Sequence, residues 1–231
     1  MDKKTSTVNN MIANMEEVDR LLAIHEKLTG KARGRRHQVD VLNKSAIVLI
    51  TACWEALAED IATQAFDFLL AKVNDHNKIP IKIRTLASRK LKDAEDHTKV
   101  WELAGDGWKQ VLINYRDHTL DRFVGSLNTP RAANIDNMFR DLLDFTDISS
   151  SWKWGSLTSQ KAINKLDRFI TLRGAIAHRV STSESVSKNR VRDFRKFAFR
   201  LAVKTSNAVN SHIYKIVGET PFDEWKFGGV S

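Results

Sequence analysis

From Ala46 to Leu57 the chain is apolar nearly all the way round a helix, and no other feature constrains its fold so strongly. Such a segment has no side to offer to water, so other elements must wrap it. The pattern predicts a long helix, from about Gln38 to Val73, at the centre of a bundle. Its longest uncharged apolar run, Ser45 to Trp54, stops at Glu55. That is well short of the about 20 residues a membrane crossing needs, so a buried core helix and no membrane association are expected.

The wrapping elements also read as helices. Val8, Met11, Ile12, Met15, Val18, Leu22 and Leu28 recur at three- and four-residue spacings, the stripe of an amphipathic helix. Gly30 and Gly34 bracket its end, within a basic loop of Lys31, Arg33, Arg35 and Arg36. Three prolines and ten glycines fall between periodic segments, which is helical punctuation. A charged stretch after Pro80 carries no clear period as far as His97. A helix is then expected from about Val100 to Val124, weakened at its start by Gly105 and Gly107. Pro130 opens a shorter helix through Leu143, and the Ser- and Trp-rich stretch Thr146 to Ser159 reads as a loop. Two helices follow, Gln160 to about Arg179 and Asn189 to about Val217, before an irregular tail containing Pro221. With no strand alternation, repeat or linker in view, the expectation is an all-α chain forming one domain over residues 1–231.

Hydrophobic residues at 42% and charged residues at 28% are the balance of a folded globular protein. A single cysteine, Cys53, allows no intrachain disulfide and no metal-type cysteine spacing, which suits a reducing, cytoplasmic setting. Met1 to Asn10 is polar with no apolar run behind its lysines, so it is not read as a signal peptide. A net charge of +9 and a pI near 9.7 favour anionic partners such as RNA.

Chemistry concentrates on the helix beginning at Gln160. At roughly 100° per residue, Ala162, Ile163, Leu166, Phe169, Ile170 and Ala177 share one face, and Arg173 falls in the middle of it. An arginine there is costly unless it meets an anion or an interface. His178 lies five residues on, about 140° further round and at the edge of the stripe. Arginine and histidine together suit phosphodiester chemistry in RNA. A neutral imidazole can take the 2′-hydroxyl proton, an imidazolium can protonate the leaving 5′-oxygen, and a guanidinium can hold the phosphate. One histidine does not easily serve as base and acid together. Two such helices meeting across a two-fold axis would supply two of each group to one cleft, so a homodimer through this helix is expected, whose interface includes the face of Leu166, Ile170 and Arg173.

The segment Ile170 to Arg179, ITLRGAIAHR, resembles the Arg-x(4–6)-His motif of the HEPN superfamily. The run ending Cys53-Trp54-Glu55 and the stretch Asn134 to Trp154, NIDNMFRDLLDFTDISSSWKW, make the chain most similar to the RiboL-PSP-HEPN type, over about Val41 to Val203. That resemblance implies a HEPN-type helical bundle with additional helices, homodimerisation through the motif-bearing helices, and metal-independent RNA cleavage with Arg173 and His178 as catalytic residues. It also implies a toxin–antitoxin or phage-defence setting, with an antitoxin or defence-system partner. The position after the arginine, often Asn, Asp or His in the family, is Gly174 here.

Lys188, Arg192, Lys196, Arg200 and Lys204 recur at every fourth residue of the last long helix. With Arg179, the first four of these are the expected RNA-binding set, tracking phosphates beside the catalytic pair; an ordinary solvated helix face gives the same pattern. Glu55 could pair with Arg173 but is read as a structural ion-pair partner, and Glu55, Glu59 and Asp60 as a polar face. Asp141, Asp144 and Asp147 are expected to face water, and Asp93 to His97 to form a surface loop. Trp152 and Trp154 could stack on bases, although packing over the bundle is favoured. No metal site and no cofactor are expected. Two functions stay open: an endoribonuclease giving 2′,3′-cyclic phosphate and 5′-hydroxyl ends, or a non-catalytic HEPN-like module binding RNA, a nucleotide or a protein. Gly174 is the feature that keeps the second open.

Overall fold

A computed structural model describes residues 6–29, 40–126, 129–178 and 185–225. Among these, seven α-helices follow in chain order: α1 (Ser6–Thr29), α2 (Asp40–Lys72), α3 (Ile81–Lys92), α4 (Gly107–Ser126), α5 (Ala132–Leu143), α6 (Ser159–His178) and α7 (Lys188–Val217). Short 3-10 turns occupy 76–78, 97–103 and 148–151. The only strand-like pairing among the described residues is a bridge between Trp154 and Leu157. The all-α expectation holds.

α2 buries residues on every turn from Asn43 to Leu70, because α1, α4, α5, α6 and α7 all pack on it. Among the described residues α2 alone is long and apolar enough to pass as a membrane span, yet half of that window is buried inside the fold. The wrapping helices make it the core helix its apolar circumference demanded.

The 148–151 turn, read from sequence as loop, contributes Trp152 to the deepest part of the core. Its ring is fully buried, meets Trp54 edge-to-face at 5.7 Å, and donates Nε1–H to Thr205 Oγ1 at 2.9 Å. Trp54 Nε1–H donates to the Pro130 carbonyl at 3.3 Å. Each indole thus keeps its polar atom satisfied while its apolar body fills the interior. The base-stacking role considered for Trp152 is therefore excluded: its ring has no face to offer RNA.

Two further differences have simple causes. The unreadable stretch after Pro80 is α3, whose apolar face is only Ile83, Ala87 and Leu91, too thin a stripe among its lysines and arginines to show a period. The helix expected from Val100 begins at Gly107 instead. A Cβ on Gly107 would lie 2.0 Å from the Glu102 carbonyl oxygen, so the chain turns tightly there. Gly105, at φ +56°, takes the left-handed conformation that favours glycine. Within α5, Asp141 does not face water, since its side chain is 14% exposed and accepts from Arg122 and Arg140.

Candidate active site

α6 starts with Thr158 as its cap, the hydroxyl accepting from Lys161 N–H at 3.3 Å. No proline or glycine then interrupts it until Gly174. Its inward face is Ala162, Leu166, Phe169, Ile170 and Leu172, all buried, with Phe169 stacked on Phe194 of α7 at 3.9 Å. Polar pairs fix its flanks. Arg131, just before α5, donates to Thr171 Oγ1 at 2.9 Å and sits 3.1 Å from Asp167 Oδ1. Lys165 reaches Asp193 of α7 at 2.7 Å. The helix that carries the Arg/His pair is thus held by α7 and by the residue that opens α5.

Burial along α6 corrects part of the sequence expectation. Leu166 and Ile170 are 0% and 1% exposed within the single chain, so its own core consumes the apolar stripe that was expected to face a second copy. Towards the C-terminal end the buried side passes to Leu172, and Ala177, expected on the core face, is exposed. Arg173 is half-buried at the point where the stripe leaves the core. What α6 turns outward there is Thr171, Ala175 and Ala177, with Gly174 half-buried between them.

Arg173 is close enough to Glu55 of α2 for its guanidinium to act on that carboxyl. Burial raises the Glu55 pKa, the neighbouring Glu59 raises it further, and Arg173 opposes both. Burial also raises Glu59 and Asp60, Glu59 with a contribution from Asp60. The trio expected as a polar face is thus a half-buried carboxylate ridge whose first member, Glu55, stands beside Arg173. Glu55, set outside the site on sequence alone, belongs to its surroundings. The signal was present in the carboxylate ending the apolar run, but only the packing of α2 on α6 connects it with Arg173.

His178 is the last residue of α6, about 7.5 Å along the helix axis from Arg173 at 1.5 Å per residue. Its side chain, and Arg179 entirely, lie outside the described residues, as does the basic loop of Lys31, Arg33, Arg35 and Arg36. Beyond that connection Val186 is buried, its N–H donated to Asp40 Oδ1 at 2.9 Å and its carbonyl accepting from Asn43 Nδ2 at 2.8 Å. The chain is therefore tied to the start of α2 before α7 begins.

The basic ridge of α7 divides in two. Lys188 and Arg192 both bind Glu26 of α1, at 3.0 and 2.5 Å, so they join α7 to α1 and part of their charge is neutralised. Lys196 and Arg200 are exposed, and the Arg200 guanidinium lies 6.0 Å from the centre of the half-buried Trp154 ring. Trp154 in turn packs on Phe197. Cys53 is buried, which pushes its thiol up to about 11 and keeps it an unreactive core group. No cluster of three or more His, Cys, Asp or Glu suited to a metal ion occurs among the described residues.

The RiboL-PSP-HEPN family profile matches residues 11–211, a span that runs from α1 through nearly all of α7 and contains both Arg173 and His178. The chain belongs to the RiboL-PSP-HEPN family. Membership places it among domains that act as nucleases or RNA-binding modules and that commonly dimerise. Comparison with curated proteins and with solved structures found no significant match.

Proposed function

We propose that the chain is a metal-independent endoribonuclease in which Arg173 and His178 of two copies share one cleft. The observation that carries this reading is the position of Arg173. It stands at the family's motif spacing from His178, half-exposed where the buried stripe of α6 ends, within reach of the Glu55 carboxylate. In the reaction, a neutral His178 imidazole takes the proton of the 2′-hydroxyl, and the 2′-oxygen bonds to phosphorus. The P–O5′ bond breaks, and the 5′-oxygen takes a proton from the second copy's protonated imidazole. The Arg173 guanidinium balances the charge that grows on the phosphoryl oxygens. Glu55 acts as a positioning residue for that guanidinium.

The two-fold contact runs over Gly174, Ala175 and Ala177 in this proposal, in place of Leu166 and Ile170. Small side chains on the outward face of α6 let a second helix come close. A Cβ on Gly174 would meet nothing within 4 Å, so no neighbour within the described chain requires a glycine there; a partner helix would. Lys196 and Arg200 track RNA phosphates, and the setting is a cytoplasmic toxin–antitoxin or defence system. The second reading, a module that binds RNA without cutting it, is favoured by one feature, the absence of a polar side chain at Gly174.

Incubating the protein with total RNA in EDTA, beside His178→Ala and Arg173→Ala, tests the proposal. Cleavage to 2′,3′-cyclic phosphate and 5′-hydroxyl ends is expected, abolished in both variants, with DNA and 2′-O-methylated RNA untouched. Cleavage that needs Mg²⁺, leaves 5′-phosphates or survives His178→Ala overturns the mechanism. Tight RNA binding with no cleavage selects the non-catalytic reading.

A further inference from the structure

A cavity of about 490 Å³ opens between α3 and α4, and no residue of α6 lines it. That volume falls in the range of small-molecule sites, roughly 300–1,000 Å³. Its lining includes Arg84, Ser88, Lys92, His76 and Trp108 and no carboxylate. Arg84, Ser88 and Lys92 stand four residues apart, in one row along α3, so cationic ends about 12 Å apart along the axis bracket a hydroxyl. In the same lining the Trp108 and His76 rings lie 6.3 Å apart and tilted by 58°, a direct aromatic contact that forms a corner against which one flat ring can rest. Arg84 is held by its Nη1 on Asn77 Oδ1 at 3.1 Å, while its buried Nε–H finds no acceptor among the described residues.

The rim points the same way. Ile81 and Leu103 line the cavity, yet they are 72% and 39% exposed, and nearby in sequence Trp101 is 76% exposed. Apolar side chains left bare around a cavity mark a place where something apolar docks. A ligand that satisfies all of these features has a planar, partly apolar body and an anionic end. We propose that this cavity is a nucleotide-binding site distinct from the Arg173–His178 site, with the base against Trp108 and His76 and the phosphate on Arg84, Ser88 and Lys92. The nucleotide is either free or the terminal residue of an RNA strand.

Calorimetric titration of the full chain with AMP, adenosine, inorganic phosphate and a 3′-phosphorylated tetranucleotide tests this. AMP is expected to bind at least tenfold more tightly than adenosine or phosphate, because each fragment meets only half of the site. Trp108→Leu and Arg84→Met should each weaken AMP at least tenfold. Lys92→Met, at an exposed position, should weaken it several-fold with no risk to folding. His178→Ala should leave it unchanged, which separates this site from the catalytic reading whether or not that reading holds. A tetranucleotide that binds more tightly than AMP and is itself weakened by Trp108→Leu and Arg84→Met identifies the ligand as an RNA end; one that those variants leave unchanged, or that binds more weakly than AMP, identifies it as a free nucleotide. AMP binding no tighter than phosphate, or indifferent to Trp108→Leu, Arg84→Met and Lys92→Met, overturns the proposal. Loss of binding in His178→Ala would overturn it too, because the nucleotide would then sit on α6.

Discussion

Gly174 and the carboxylates beside Arg173 are where single residues carry the most information. Glycine inside a helix costs about 0.5–1 kcal/mol relative to alanine, and the open space around Gly174 means that an added methyl meets no obstacle within the chain. Gly174→Ala should therefore raise the unfolding free energy of the isolated chain by about that amount in a urea titration. If the α6 helices of two copies approach there, the same methyl should weaken dimerisation and lower RNA cleavage. Stability and activity would move in opposite directions, which a purely structural glycine would not produce. The carboxylates predict a pH dependence. Burial raises the Glu55 and Glu59 pKa values, so the folded chain binds protons more tightly than the unfolded one. Their strain is absent below the unfolded-state pKa and grows as pH rises to the folded-state value, so the fold loses stability through that window. Glu59→Gln should raise the melting temperature at pH 7 and change it little at pH 4. Equal shifts at both pH values would show that Glu59 is not held in a desolvating environment.

Among the elements, the 148–151 turn and α7 make the clearest predictions. Trp152 is fully enclosed, against Trp54 and Thr205, so Trp152→Ala should cost about 3–5 kcal/mol, the range for emptying a large core site. Thr205→Val leaves the indole N–H without its acceptor and should cost about 1–3 kcal/mol, the penalty of a buried unsatisfied donor. Chemical denaturation would measure both, and a loss under about 1 kcal/mol for Trp152→Ala would contradict its place in the core. On α7, charge reversal of Lys196 and Arg200 should weaken RNA binding at every sequence. It should also lower the salt slope by about one for each phosphate the protein no longer neutralises. Charge reversal of Lys188 and Arg192 should do less to RNA and more to the packing of α1 on α7, because both cations already share Glu26. Binding measured against salt concentration for the two double variants separates the two halves of the ridge.

For the whole molecule the decisive quantity is the number of chains in the particle. One chain already buries Leu166, Phe169 and Ile170, so its core closes within the chain, and the proposed dimer would add a cleft rather than a fold. Light scattering at micromolar concentration should give twice the 26.3 kDa chain mass. Dilution should reduce RNA cleavage together with dimer content, while helicity stays unchanged. Cleavage by a particle of one chain mass would remove the two-fold cleft. A bulky residue in place of Ala175 or Ala177, both exposed, should give monomers that remain folded and do not cut.

Helical class, the central position of α2 and the Arg173–His178 spacing were determined by sequence alone, because each rests on local periodicity: an apolar circumference or a spacing of three, four or five residues. The family resemblance rests on the same kind of local pattern, and the match over residues 11–211 agrees with it. Tertiary structure decided the rest. Whether Leu166 and Ile170 face a partner or their own core depends on which helices arrive beside α6, and no spacing within α6 records that. The same holds for the depth of Trp152, which the sequence set over the bundle and which α2 and α7 enclose completely, and for Lys188 and Arg192, whose acceptor Glu26 is 162 and 166 residues away in the chain. A periodic pattern says which side of a helix avoids water. Only the packed neighbours decide what that side, and every charge at its edge, is set against.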